Sequence, residues 1–138
     1  MSSTNRSDVR DPRDFYRTPS WCVEAIADRL RPGGWHGMKA LDVACGDGAI
    51  GDVLKGLGAE VTGVELDPEL AAAAREKLDR VFTADFLADP SVADLMAADF
   101  DAVIINPPYK QAMEFVQRAR KLMGRRTVAA LLRLSFLE

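Results

Sequence analysis

Little in this chain of 138 residues answers to a disulfide scaffold, a metal centre or a membrane span. Cysteine occurs twice, as Cys22 and Cys45, with no ligand-type spacing. Neither a framework of bridges nor a zinc site is therefore expected, and the setting expected is reducing and cytoplasmic. Histidine occurs once, His36, beside glycines in a loop, and reads as incidental rather than catalytic. No apolar run approaches the ~18 residues that would cross a bilayer. The first twenty residues are polar, with Arg and Asp interspersed, so no leader peptide is expected there. No repeat and no low-complexity tract interrupts the chain.

What is present is ordinary in bulk: 48% hydrophobic and 28% charged residues, a composition for one soluble domain with a real core. The net charge of −3 hides a division. Residues 39–101 hold 5 basic and 14 acidic side chains, whereas residues 102–138 hold 7 basic and 2 acidic. The basic group includes Lys110, Arg118, Arg120, Lys121, Arg125 and Arg126. A phosphate-binding face fits such polarity, and so does a helix with a solvated basic side.

Residues 1–14 lack apolar periodicity and read as a flexible arm, leaving 15–138 as the folded domain. Thr18 is a good N-cap residue and Pro19 fits the first helical position, so a helix is predicted to about Arg31. Trp21, Ala25, Ile26 and Leu30 would form its apolar stripe. Ala40–Ala44 reads as a first strand, running into Cys45-Gly46-Asp47-Gly48 and a helix to about Leu57. Glu60–Glu65 is a second strand, Asp67-Pro68 starts a helix to about Leu78, and Val81–Thr83 is a third strand. A short helix over 90–98 leads to a fourth strand beginning at Ala102. A helix from about Lys110 to Met123, with Met113, Val116, Ala119 and Leu122 or Met123 buried, precedes a fifth strand at 127–134. This alternation predicts a Rossmann-like, doubly wound parallel α/β sheet.

Three stretches carry chemistry. The strand–glycine turn–helix at 40–57 is the front half of a nucleotide-binding unit, since glycines allow close backbone approach and the helix start aims N–H groups at a ligand. Its spacing is not the dinucleotide fingerprint, although Gly51 partly stands in for the third glycine. Asp42 near the strand end suits a ligand bearing an ammonium group. Glu65, about twenty residues after the glycine turn begins, is placed to accept from ribose hydroxyls. Asp85 would accept from an adenine amine while Phe86 packs on the ring; the plainer reading is a turn acid beside a core aromatic.

The third stretch is Ala-Val-Ile-Ile-Asn-Pro-Pro-Tyr at 102–109. The apolar run is a strand buried on both faces. Pro107 and Pro108 then remove N–H donors and hold the preceding residues extended. Asn106 is thus presented past a strand's carboxyl end in a turn rich in acceptors, complementary to an exocyclic amine. Tyr109 offers a flat face for stacking a base, worth ~1–3 kcal/mol. A rigid strand-ending turn with no further role also fits the residues alone.

Taken in order, Asp-Val-Ala-Cys-Gly-Asp-Gly at 42–48, Glu65, Ala-Asp-Phe at 84–86 and Asn-Pro-Pro-Tyr at 106–109 resemble the class I S-adenosylmethionine-dependent methyltransferases. The Asn-Pro-Pro-Tyr form is similar to the DNA N6-adenine enzymes, and the ending from Leu131 to Glu138 is similar to small phage and prophage members. The likeness implies S-adenosylmethionine as cofactor. It implies that Asp42, Ala44, Gly46 and Gly48 border the methionine part, with Tyr16 and Thr18 near its carboxylate. Glu65 would then hold the ribose, and Asp85 with Phe86 the adenine. Asn106 and the Pro107 carbonyl would receive the target amine's hydrogens, and Tyr109 would stack on a flipped-out base of DNA. Cys45 would be no nucleophile. Relative to the family pattern, Ala44 replaces a common glycine and no target-recognition insertion stands between Asp85 and Asn106. The antiparallel strands that usually follow the fifth are missing, so a C-terminally incomplete domain is expected. Its fifth strand would be an open edge, prone to self-association. The same turn serves RNA bases or a protein glutamine amide, and a truncated, non-catalytic cofactor-binding module is the further alternative.

Overall fold

The computed structural model describes residues 18–96, 100–107 and 109–130. The N-terminal arm, Tyr16, Pro108, the side chain of Tyr109 and the similarity over 131–138 lie outside the described residues. Within them the chain runs through α1 (Ser20–Leu30), β1 (Lys39–Asp42), α2 (Ala49–Gly56), β2 (Glu60–Glu65), α3 (Pro68–Arg75) and β3 (Arg80–Thr83). It continues through α4 (Ser91–Met96), β4 (Ala102–Ile105), a 3-10 turn (Tyr109–Gln111), α5 (Ala112–Met123) and β5 (Thr127–Ala130). Every strand pair is parallel, in the order β3-β2-β1-β4-β5. This is the doubly wound, class I methyltransferase-type fold, and among the described residues no antiparallel strand follows β5. No described helix is long and apolar enough to cross a membrane.

Alternation along the central strands divides the core. Ala40, Ala102 and Ile104 join Val23, Ala27, Trp35 and Leu54 on one face of the sheet. Leu41, Val103 and Ile105 join Phe86, Phe115 and Met123 on the other. With helices on both faces, all four β4 residues are buried, which is why that strand reads as an unbroken apolar run. The chain's winding reverses between β1 and β4, and at such a switch point the loops leaving the strand tips diverge and open a crevice.

Helix α1 buries a face other than the one its periodicity predicts, and α5 departs from its prediction in part. In α1 the buried residues are Val23 and Ala27, whereas Trp21 is 70% exposed. The cause is Trp35, from the turn after the helix, which packs beneath α1 and donates its indole N–H to the Ala27 carbonyl at 2.9 Å. In α5 Ala119 and Met123 are buried as expected and Val116 is half-buried, but Ala112 and Phe115 are buried as well and Met113 is exposed. The larger Phe115 takes the inner position by stacking on Phe86. Nor does Thr18 cap α1: Pro19 holds the cap position and no side-chain cap bond forms.

Gly51 stands on α2 where the helix meets the sheet. A Cβ there would lie 2.5 Å from Leu78 Cδ2 and 2.9 Å from Val61 Cγ1. Alanine would gain up to ~1 kcal/mol of helix propensity, but overpacking costs ~1–3 kcal/mol. Gly51→Ala is therefore expected to lower the urea midpoint, with the slope unchanged; an equal or higher midpoint would contradict so close a helix–sheet approach.

Candidate active site

The carboxyl ends of β2, β1 and β4 lie side by side at one edge of the sheet, the place where the switch point opens a crevice. Asp42 ends β1 and is buried. Its Oδ1 accepts from the Ala44 N–H at 3.3 Å. Its Oδ2 is buried with no hydrogen-bond partner among the described residues. Burial pushes this carboxyl up to about 7, the charge of Glu65 adds to the rise, and the Ala44 N–H opposes it. A buried acceptor of this kind fits a ligand that brings its own positive charge and N–H donors.

The chain then turns through Gly46 (φ 56°) and Gly48 (φ 91°), left-handed conformations that favour glycine. At Gly48 a Cβ would also come within 3.2 Å of the Ala74 Cα. The loop is tied to its neighbour strand: Gly46 N–H donates to Glu65 Oε1 at 2.8 Å, and Asp67 N–H donates to Oε2 at 2.9 Å. Two donors occupy only part of a carboxylate's acceptor capacity of about four lone pairs, so Glu65 can still accept from hydroxyls. Leu66, directly after it, is 56% exposed. No motif singles out this apolar side chain at the β2 tip; its one signal in the sequence is its place next to the strand-end acid.

Asp85 is half-buried and holds its own turn, Oδ1 accepting from the Leu87 N–H at 3.0 Å. Phe86 departs from the expectation. It is 1% exposed, stacked on Phe115 with ring centroids 5.4 Å apart, and has the Arg118 guanidinium 5.8 Å from its ring. Its ring packs in the core with Leu41, Val103 and Ile105, the plainer of the two readings of this residue. Ala44 is half-buried between Asp42 and the glycine loop.

Asn106 is the first residue past β4 and is half-buried, with Pro107 buried behind it. The register sets it close to the glycine loop, because Ile104, two residues earlier, pairs with Asp42. The Asn106 Nδ2 donates to the Thr18 Oγ1 at 2.9 Å, across 88 positions of sequence. Thr18, expected near a cofactor carboxylate, thus has its hydroxyl on the amide at the β4 tip.

Cys45 sits beneath the loop and is buried. Burial, then the charges of Asp42 and Glu65, push its thiol far above the ordinary range, so it stays protonated and unreactive. Iodoacetamide at pH 8 is expected to label half-buried Cys22 and spare Cys45 in the folded protein, as read by peptide mass spectrometry. Alkylation of Cys45 at the denatured rate would contradict this.

The basic group is divided in use. Arg126 donates to the carbonyls of Met123 and Leu122, closing the end of α5, and to that of Phe100. Arg118 lies over Phe86. Lys110, Arg120, Lys121 and Arg125 are exposed.

The methyltransferase small domain family matches residues 23–132. A ribosomal RNA small subunit methyltransferase C of Chromohalobacter salexigens is 36% identical over 75 residues, which are 54% of this chain and 22% of that protein. A ubiquinone biosynthesis O-methyltransferase of Xanthomonas axonopodis is 39% identical over 85 residues, 59% of this chain and 34% of that one. The chain thus matches about a fifth to a third of the length of these relatives. Among solved structures, the magnesium protoporphyrin IX methyltransferase of Synechocystis, with S-adenosylmethionine bound, superposes with a TM-score of 0.60. That match has 18% identity and covers 79% of this chain and 57% of the other.

Proposed function

Because this chain belongs to the methyltransferase small domain family, we propose that it transfers the methyl group of S-adenosylmethionine to an exocyclic amine on a planar base. When bound, the cofactor supplies a methyl group on a sulfonium, so the sulfur side needs no activation. The residues at the strand tips fit it. The buried Asp42 Oδ2, with no partner among the described residues, matches an ammonium group. Glu65 matches the ribose hydroxyls, and Leu66 provides an apolar surface beside them. Asp42, Asp47, Glu65, Asp67 and Asp85 make the crevice acidic, which favours a cationic donor over its neutral product.

One observation carries the choice of substrate: Asn106 stands at the tip of β4, next to the strand that bears Asp42 and the glycine turn. An amine conjugated to a ring is a poor nucleophile because its lone pair is delocalised. Asn106 Oδ1 and the Pro107 carbonyl would accept its two hydrogens, favour the pyramidal nitrogen and aim the lone pair along the line of displacement. The nitrogen pair forms the bond to carbon, the carbon–sulfur pair stays on sulfur, and the nitrogen's surplus proton passes to solvent.

Adenine N6 in DNA is the first target that the Asn-Pro-Pro-Tyr turn supports. The likeness to a protein named as a ribosomal RNA methyltransferase favours an RNA base as the second. Incubation with methyl-labelled cofactor and duplex DNA, ribosomal RNA or a glutamine-bearing peptide decides between them, followed by mass spectrometry of the modified nucleoside or residue. An N-methylated base is expected. Label on carbon or hydroxyl oxygen, or on no substrate, would overturn the reading.

A further inference from the structure

Thr18 has no local role that accounts for its position. It precedes α1, yet caps nothing there. Instead it is half-buried, and its hydroxyl meets an amide 88 positions away. The two are brought together by one shared core: Val23 and Ala27 of α1 pack with Trp35 and with Ile104 of β4, two residues before Asn106.

The chemistry of an amide makes this pairing consequential. Its two ends are nearly the same size, but one only donates and the other only accepts. An amine substrate presents hydrogens, so it can be held by Oδ1 and is repelled by Nδ2. Orientation therefore decides whether Asn106 helps or hinders. A hydroxyl that accepts from Nδ2 keeps that end occupied and turns Oδ1 to the other side. Drawing on the Nδ2 hydrogen also shifts electron density through the amide toward Oδ1, strengthening it as an acceptor.

We infer that Thr18 is a positioning residue: its hydroxyl, by accepting from the Asn106 amide nitrogen, sets the carbonyl end of that side chain toward the methyl-accepting amine. The role rests on the reading of Asn106 given above, and acts only through Asn106.

Thr18→Val removes the hydroxyl at nearly constant volume, and Thr18→Ser retains it. In ¹⁵N-labelled protein, the Asn106 side-chain NH₂ signals (assigned by their loss in Asn106→Ala) report the contact without any substrate. In wild type and Thr18→Ser they should be displaced from free asparagine and slow to exchange. In Thr18→Val they should shift toward the free position and exchange about tenfold faster, as expected for one lost hydrogen bond. Transfer should separate the variants in the same way: kcat about tenfold lower in Thr18→Val, cofactor affinity within about threefold, and Thr18→Ser close to wild type. Unchanged Asn106 signals in Thr18→Val would overturn the pairing. A loss of cofactor affinity at constant kcat would overturn the positioning role and give Thr18 to the cofactor. If wild type methylates no amine, the proposed function has failed, and the NH₂ signals alone decide whether Thr18 holds the amide.

Discussion

Asn106→Ala is expected to lower the rate of methyl transfer by about 10²–10³-fold, the loss seen when one preorganised polar contact to a reacting centre is removed. Cofactor affinity should stay within about threefold. The asymmetry follows from where the residue stands. Asn106 directly follows β4, whereas the residues suited to the cofactor lie at the ends of β1, β2 and β3 and in the loops after them. Removing the amide therefore takes away the grip on the amine and leaves the acidic side of the crevice whole. Single-turnover transfer measured beside calorimetric titration of the cofactor separates the two effects. Equal losses in both would move Asn106 into the cofactor site, and unchanged turnover would end the amine-holding role.

The second large effect belongs to Asp42. Its carboxyl is raised from 3.8 to about 7, chiefly by burial. Between those values the folded protein keeps a proton that the unfolded chain has released, so unfolding releases it and stability falls as pH rises. The contribution is present near pH 4, declines through about pH 7 and is gone above it. The gap sets an upper limit of roughly 4 kcal/mol. The cofactor-free protein should melt several degrees lower at pH 8 than at pH 5. In Asp42→Asn this slope should flatten, with the melting temperature at pH 8 above that of wild type.

Cofactor binding should run the other way. An ammonium prefers the ionised carboxylate, so affinity for S-adenosylmethionine should rise from pH 6 to pH 8. Asp42→Asn should lose about 1.5–3 kcal/mol, roughly ten- to a hundredfold in Kd at pH 8. At pH 7 binding should release part of a proton, so the measured heat should depend on the buffer's ionisation enthalpy. Parallel pH profiles for wild type and Asp42→Asn, in both stability and binding, would contradict this assignment.

The sheet was legible because each strand is short, apolar and followed by its own turn chemistry, as at Gly46, Asp67-Pro68 and Asn106-Pro107. That Asp42 and Glu65 close strands was legible for the same reason, each being an acid at the end of an apolar run. What could not be read were partnerships between distant parts of the chain. No periodicity marks Trp35 as a core residue, yet it decides which side of α1 is inside. Phe86 looked available to a ring, but its partner Phe115 lies on a helix formed later in the chain. Thr18 has the right chemistry for a cap, and only the three-dimensional fold brings Asn106 within 2.9 Å of it. Arg126, read among the basic residues, closes a helix end through two carbonyls and ties it to the carbonyl of Phe100.

The most direct measurement is the structure of the protein crystallised with S-adenosylhomocysteine. The ligand's ammonium should lie on Asp42 and its ribose on Glu65. Its sulfur should face the β4 tip, with room for a methyl group and an amine nitrogen between it and Asn106 Oδ1. A ligand lodged elsewhere, or a sulfur screened from Asn106 by the protein, would contradict the pairing of methyl donor and amine-holding corner at this crevice.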